Sequence, residues 1–232
     1  GSSDVRASHV VTALDGLRAR FGADQVEHSD DDASIAVGAD VVVVVDGYTK
    51  ADEGECIEAA GADALGRSVF PPVDHPTLGA GVAWTAPPDP VQPPAASSDG
   101  GVDRMAPGGA RTSLRLSGAD ESLIAAAAAV NDDVVVVVVG GSAVVMPWAS
   151  TVSAILMTWY SGVEGGSALA DVLVGAVEPA GRLPFVVPTD PAHLPYFDRD
   201  ATEITYDPSH GPRLLDRAGH AAHFPPGRGL GW

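Results

Sequence analysis

The sequence predicts an α/β fold in which a mostly parallel central sheet lies between two layers of helices. Two runs of valine, at 41–45 and 134–139, contain no alternating polar residues. Continuous apolar runs of this kind are typical of strands that are buried on both faces. Segments with helical spacing of apolar residues lie between the strands, and strands that alternate with helices indicate parallel βαβ units. We therefore expect a three-layer α/β sandwich.

The first predicted helix spans residues 8–21 and ends near Gly22. Its apolar residues recur at helical spacing, and we expect four of them to face the core: Val10, Val11, Leu14 and Leu17. A second helix is predicted over 118–130. Ser117 can cap this helix. Two acidic side chains in its first turn interact favourably with the positive end of the helix dipole.

The remaining elements alternate in the same way. Strands are predicted at 153–159 and 183–188, and a helix is predicted at 164–174 between them. Glu164 lies where this helix begins, and Gly175 can supply the left-handed residue that commonly ends a helix. Predicted strands and helices therefore alternate along the chain as far as about residue 188.

Length and composition fit one domain that spans residues 1–232. The net charge of −18 excludes a protein that binds nucleic acid or an anionic membrane through a basic surface. No apolar run reaches the roughly 20 residues that a membrane span needs. Residues 61–110 are rich in Pro, Gly, Ala, Ser and Asp, and this composition predicts a long flexible insertion.

An acidic segment at 46–60 follows the first valine run and is the predicted place for chemistry, because ligands of open α/β sheets bind beyond the carboxyl ends of the strands. Glu53 and Glu55 are its candidate functional residues, and the alternative is that both are solvated loop acids. Cys56, the single cysteine, is expected to be a small filler rather than a reactive thiol.

Other polar positions are weaker candidates. His220 and His223 are spaced i, i+3, but no third ligand accompanies them, so a metal site is not expected. His210 could face a ligand, although a surface position is favoured. Residues 140–142, Gly-Gly-Ser, are expected to form a tight turn rather than a phosphate cradle, because the context of a nucleotide-binding motif is absent.

One long string resembles a known family. Residues 159–166 read Trp-Tyr-Ser-Gly-Val-Glu-Gly-Gly, 170–175 read Ala-Asp-Val-Leu-Val-Gly, and 179–184 read Pro-Ala-Gly-Arg-Leu-Pro. These segments resemble the second, sandwich-like domain of glycoside hydrolase family 3. That family carries Trp-Tyr-Pro-Gly-Gln-Glu-Gly-Gly, then Ala-Asp-Val-Leu-Phe-Gly, then Asn-Pro-Ser-Gly-Arg-Leu-Pro.

Further segments resemble the same family in the same order. They are 15–17 (Asp-Gly-Leu), 39–45 (Ala-Asp followed by five Val), 111–116 (Arg-Thr-Ser-Leu-Arg-Leu) and 224–232 (Phe-Pro-Pro-Gly-Arg-Gly-Leu-Gly-Trp). The resemblance therefore covers nearly the whole chain. The chain begins at a point that resembles the region just after the family's first strand, so that strand is expected to be missing.

The resemblance implies a retaining β-glycosidase of the β-glucosidase kind. In the family, the nucleophile is an Asp of a preceding barrel domain, and the acid/base of many members is a Glu on the loop that 52–56 resembles. Glu53 matches best because Gly54 follows it, and Glu55 stays a candidate. The implied partners are a carbohydrate substrate and an N-terminal barrel, with no metal or organic cofactor. The compartment, cytoplasmic or secreted, is left open.

The chain departs from the family's pattern at several turn positions: Ala110, Ser161, Pro212, Pro226 and Arg228. These departures motivate one alternative, a module of the same family that binds sugar or braces a barrel without donating a proton. A second alternative is an unrelated flavodoxin-like ligand-binding domain, which only the alternation of strands and helices supports.

Overall fold

The computed structural model describes residues 9–48, 113–196 and 202–229. The insertion predicted at 61–110, and the acidic residues that follow the first strand, lie outside these ranges. All elements named below belong to the described residues.

Three parallel strands form the main sheet, in the order β1-β2-β3. They are β1 (Val42–Gly47), β2 (Val134–Val139) and β3 (Ala154–Met157). On the central strand, Val136 and Val138 face one side of the sheet and Val137 faces the other, and all three are fully buried. The valine runs therefore form the parallel strands that the sequence predicts, and the α/β class is confirmed. The third strand is shorter than the predicted 153–159.

Among the described strands, β1 lies at an edge of this sheet. Val41 and Val45 are 56% and 42% exposed, whereas Val44, on the opposite face, is buried.

The helices are α1 (Ala13–Phe21), α2 (Gly118–Ala128), α3 (Gly165–Leu173) and α4 (Pro212–Ala218). The predicted start of the first helix at residue 8 is wrong. Thr12 and Asp15 form a capping box, in which each side chain accepts from the other residue's backbone N–H, so the helix begins at Ala13. Val10 precedes the cap and is 61% exposed, so the expectation that it faces the core is also wrong.

Helix α2 covers one face of the main sheet. Ser117 caps it in a capping box with Asp120, as the sequence predicts for the cap. Ile124 and Ala127 are buried in a cluster with Val44, Val136 and the other residues that share this face. The apolar side of the helix thus forms the core together with the even-numbered positions of β1 and β2.

Helix α3 follows β3 and packs against α1. Gly175 has φ +72°, so the left-handed residue predicted after this helix is confirmed. The predicted extended segment at 183–188 is regular only at its end, where β4 (Val187–Pro188) pairs antiparallel with β5 (Ala222–Phe224). No helix in the part of the chain that the structure describes is long and apolar enough to cross a membrane.

Candidate functional site

The carboxyl ends of the three parallel strands meet at one edge of the main sheet. Gly47 of β1 pairs with Val139 of β2, and Val138 pairs with Met157 of β3. Ligands of open α/β sheets bind beyond this edge. The candidate site is therefore built from the segments that follow β1, β2 and β3.

Asp46 is the last charged residue of β1 and is half-buried. Its Oδ2 atom is shielded from solvent and has no hydrogen-bond partner among the residues that the structure describes. Burial of the carboxyl group, together with the nearby carboxylate of Asp120 on α2, raises the pKa of Asp46 to about 7. This group therefore retains a proton at mildly acidic pH, unlike an ordinary surface aspartate.

Tyr48 follows β1 and is only 5% exposed. Its hydroxyl donates a 2.8 Å hydrogen bond to the carbonyl of Arg115. Residues 49–112, which include Glu53, Glu55 and Cys56, connect these two points and lie outside the described residues. The roles predicted for Glu53 and Glu55 therefore remain predictions.

The segment after β2 is tightly packed at its first residue. A Cβ on Gly140 would lie 3.2 Å from Cδ2 of Tyr48, which is closer than ordinary van der Waals contact. The lack of a side chain at Gly140 thus makes room for the ring of Tyr48. This contact gives Gly140 a packing role, and the tight turn predicted at 140–142 stays a prediction.

The segment after β3 contains an unusual backbone conformation at Trp159. Its φ of +57° is the only positive value at a non-glycine residue in the described ranges. The indole ring meets Phe185 edge to face, with centroids 5.5 Å apart. Bulky residues rarely adopt this conformation, and strained residues cluster at functional sites. Sequence reasoning did not predict this feature, because a tryptophan carries no local signal for positive φ.

Glu164 lies at the N-cap position of α3, where the sequence places it, but its side chain does not cap the helix. One oxygen lies 2.9 Å from Nε2 of His9, and the other accepts a 3.0 Å bond from the hydroxyl of Ser167. These hydrogen bonds, with that from His9 the larger, lower the pKa of Glu164. His9 is a further polar residue at this end of α3 that sequence reasoning missed.

The remaining histidines form no metal site in the described ranges, where no group of three or more potential ligands occurs. His220 stacks on His193 with ring centroids 3.6 Å apart, and His223 packs on Phe224. The pair His220 and His223 is therefore engaged in separate ring contacts. His210 precedes α4 and is exposed.

A separate cleft of about 490 Å³ is lined by residues between Pro195 and Leu214. Aromatic and acidic side chains contribute to its walls, which include Tyr196, Glu203, Tyr206 and Asp207. Asp207 is paired with Arg217 across 3.1 Å. The cleft adds a second concave surface to the described part of the chain.

These features define an α/β sandwich domain in which the acidic residues 52–55 follow strand β1 in the chain. Residues 1–232 match the family model described as glycosyl hydrolase family 3 C-terminal domain. The chain belongs to this family.

Relatives and solved structures agree with the family. The chain is 35% identical over 208 residues to the β-glucosidase BoGH3A of Bacteroides ovatus. The aligned region covers 84% of this chain and 23% of that protein. It is 50% identical over 96 residues to a β-glucosidase of Rhizobium radiobacter, across 41% of this chain and 11% of that protein.

Two solved structures cover the whole chain. The β-D-glucoside glucohydrolase of Trichoderma reesei has a TM-score of 0.71 and 22% identity, and the chain covers 28% of it. The family 3 β-glucosidase of Bifidobacterium adolescentis has a TM-score of 0.65 and 25% identity, with 30% covered. The chain thus spans less than a third of the length of the proteins it resembles here.

Proposed function

We propose that this chain is the acid/base domain of a retaining glycoside hydrolase that removes terminal β-linked glucose, or a related sugar, from glycosides. One observation carries the proposal. The acidic string Asp52-Glu53-Gly54-Glu55 follows strand β1 in a chain that matches the family along its whole length. Relatives named β-glucosidases support glucose as the sugar.

The chemistry requires two carboxyl groups. In a retaining mechanism, one carboxylate attacks the anomeric carbon, and the other first donates and then accepts a proton, at a separation of about 5–5.5 Å. We assign the proton transfer to Glu53, with Glu55 as the alternative, and the attack to an aspartate of a barrel domain that precedes this one. This mechanism requires no metal or organic cofactor.

The position of the string supports the assignment. Strand β1 ends at the carboxyl edge of the sheet, and the chain leaves that edge through Tyr48. Ligands of such sheets bind beyond this edge, and the acidic string follows β1 by only a few residues in the chain. A neighbouring domain placed over this edge could then supply the second carboxylate.

The test is substitution of each glutamate in the full-length protein. Glu53→Gln removes proton donation and leaves the nucleophile intact, so glycosylation should survive with aryl glucosides that have good leaving groups. Deglycosylation still needs the general base, so the glycosyl-enzyme should accumulate. The loss should be about 10²–10⁴-fold for poor leaving groups. Azide, which needs no base, should restore turnover and yield the β-glycosyl azide.

Glu55→Gln is the matched variant, because it changes the same group two residues along. If Glu55→Gln shows this behaviour and Glu53→Gln does not, the acid/base role moves to Glu55. If neither variant does, the second candidate function is favoured, a module that binds sugar or braces the barrel. Departures from the family's pattern, such as Pro212 and Arg228, motivate that candidate.

A further inference from the structure

A cleft beside helix α4 includes none of the residues assigned to catalysis above. It has a volume of about 490 Å³, and its lining comes from Leu214 of α4 and from residues within two stretches of chain, 195–196 and 203–209. We call it the tyrosine cleft, because Tyr196 and Tyr206 both line it. Binding sites for small molecules commonly have volumes of about 300–1,000 Å³, so this cleft is large enough to hold a ligand.

The stretch that ends at Tyr196 is attached to the residues that follow α4. The ring of His193 stacks on the ring of His220, with centroids 3.6 Å apart. The backbone N–H of His220 donates a 2.9 Å bond to the carbonyl of Leu215, whose side chain is fully buried. The stacked rings and the buried helix thus limit the movement of the chain just before Tyr196.

The stretch that contains Tyr206 is attached to α4 itself. The carboxylate of Asp207 accepts a 2.6 Å bond from the backbone N–H of Ser209 and a 3.1 Å bond from the guanidinium of Arg217. The same guanidinium donates a 3.3 Å bond to the hydroxyl of Ser209. Arg217 lies in the last turn of α4, so these bonds join the residues after Tyr206 to the helix. The tyrosine cleft is therefore largely formed before a ligand binds, as ligand sites usually are.

The tyrosine cleft exposes two aromatic rings and several polar groups without partners. Tyr196 is 84% exposed and Tyr206 is 53% exposed. Within the described ranges, the hydroxyls of these tyrosines and of Thr205, and the carboxylate of Glu203, form no hydrogen bond or ion pair. Asp207 differs, because its charge is already paired as described above. The cleft therefore offers flat apolar surfaces, three free hydroxyls and a single uncompensated negative charge.

We propose that the tyrosine cleft binds a neutral oligosaccharide of β-linked glucose, at a site separate from the catalytic one. A pyranose ring has faces of C–H groups and an edge of hydroxyls. The tyrosine rings can cover the apolar faces, and their hydroxyls and the carboxylate of Glu203 can exchange hydrogen bonds with the sugar hydroxyls. The cleft goes beyond the acid/base assignment, and only the choice of glucose as the sugar rests on that proposed function.

The polar groups of the tyrosine cleft favour a sugar over other ligand classes. An anion would meet the unpaired carboxylate of Glu203, while the nearby cation, Arg217, is already paired. A hydrocarbon would cover the free hydroxyls without replacing their hydrogen bonds to water, which is costly. A cation would use the carboxylate and the ring faces but would leave the three hydroxyls without a partner. A sugar engages both the rings and the hydroxyls.

The experiment is affinity electrophoresis of the full-length protein in native gels that contain a soluble β-glucan. A catalytic site that removes terminal sugars meets only the few chain ends of the polymer, whereas the open cleft can bind along the chain. The wild type should be retarded relative to a gel without polymer. Tyr206→Ala should weaken the binding about tenfold, because truncation of an aromatic side chain in a binding site commonly costs that much.

Two further variants complete the design. Phe21→Ala is the matched control, because Phe21 is 51% exposed, close to the value for Tyr206, and does not line the cleft. It should leave the retardation unchanged. Tyr196→Ala should weaken the binding as Tyr206→Ala does. Since the side chain of Tyr196 is 84% exposed, its truncation removes no core packing, and this variant tests the inference even where Tyr206→Ala fails to fold.

The outcomes separate the cleft from the catalytic assignment. If the wild type is not retarded, or if Tyr196→Ala and Tyr206→Ala are retarded as strongly as the wild type, the sugar site is overturned and the acid/base assignment stands. If the wild type instead binds the polycation spermidine in a way that depends on Tyr206, the sugar site is overturned in favour of a cation site. If the glutamate variants fail to behave as proposed but retardation still depends on both tyrosines, the proposed function fails and the cleft stands.

Discussion

Gly16 of α1 and Gly166 of α3 are in direct backbone contact. A Cβ on Gly16 would lie 2.1 Å from the carbonyl oxygen of Gly166, and a Cβ on Gly166 would lie 1.9 Å from the carbonyl oxygen of Thr12. Two hydrogen bonds accompany the contact, from Val11 N–H to Val163 and from Gly166 N–H to Val11. The start of α1 is thus joined to the turn that leads from β3 into α3.

This contact predicts that Gly16→Ala strongly destabilises the protein. The added methyl group would overlap backbone atoms, which cannot rotate away as a flexible side chain can. Overpacking typically costs about 1–3 kcal/mol, and we expect the upper end of that range. Urea unfolding measures the loss as a change in the free energy of unfolding.

Gly118→Ala is the matched control for that measurement. Gly118 is the first residue of α2, and a Cβ there meets no atom within 4 Å. Alanine should stabilise the protein by about 0.4–1 kcal/mol, because it restricts the unfolded chain. Equal losses from the two substitutions would contradict the close approach of α1 and α3.

Asp46 predicts an unusual dependence of stability on pH. Its pKa is about 7 in the folded protein, raised from the ordinary value of 3.8 by burial and by the nearby carboxylate of Asp120. The folded state therefore binds the proton more tightly than the unfolded state. The stabilising contribution is complete below about pH 4 and is lost as the pH rises through 7.

Asp46→Asn should remove this dependence, because the amide does not ionise. We expect the variant to be about 1–2 kcal/mol more stable than the wild type at pH 8, and the difference to shrink or reverse at pH 4. Asp15→Asn is a control in which the pH dependence of stability has the opposite sign, because hydrogen bonds to Thr12 lower the pKa of Asp15. A parallel pH profile for wild type and Asp46→Asn would contradict the buried protonated carboxyl group.

At Trp159 we expect the glycine variant to be more stable than the alanine variant, which reverses the usual order of stability for these two substitutions. Both Trp159→Ala and Trp159→Gly remove the contact of the indole with Phe185, but only glycine adopts φ +57° without strain. The glycine variant should therefore be about 1 kcal/mol more stable than the alanine variant. Thermal unfolding of both variants checks this order, and a more stable alanine variant would show that the conformation is not strained.

The 232-residue chain alone should not hydrolyse an aryl β-glucoside above background, because the proposed function supplies only one of the two required carboxylates here. Release of the aryl group by the purified chain is the measurement. Clear turnover would overturn the two-domain assignment and require a nucleophile within the chain. Asp46 and Asp52 would be the first suspects, and Asp46 would be ionised only above its raised pKa of about 7.

Several elements could be predicted because their signals are local. The valine run at 134–139 coincides with β2, Ser117 caps α2, and Gly175 ends the turn after α3. The start of α1 was missed although its signal is also local, since Thr12 and Asp15 have the spacing of a capping box. The acidic string at 52–55 could be placed after β1 from chain order alone.

The sequence by itself determined the α/β class, the parallel strands and the family, because apolar periodicity and short motifs depend on neighbouring residues. Only the tertiary structure decided the contact of Gly16 with Gly166, the raised pKa of Asp46 and the hydrogen bond from Tyr48 to Arg115. Each of these depends on groups that are far apart in the chain and meet only when helices pack on the sheet. Their burial, distances and proton affinities therefore arise from packing, which no local pattern encodes.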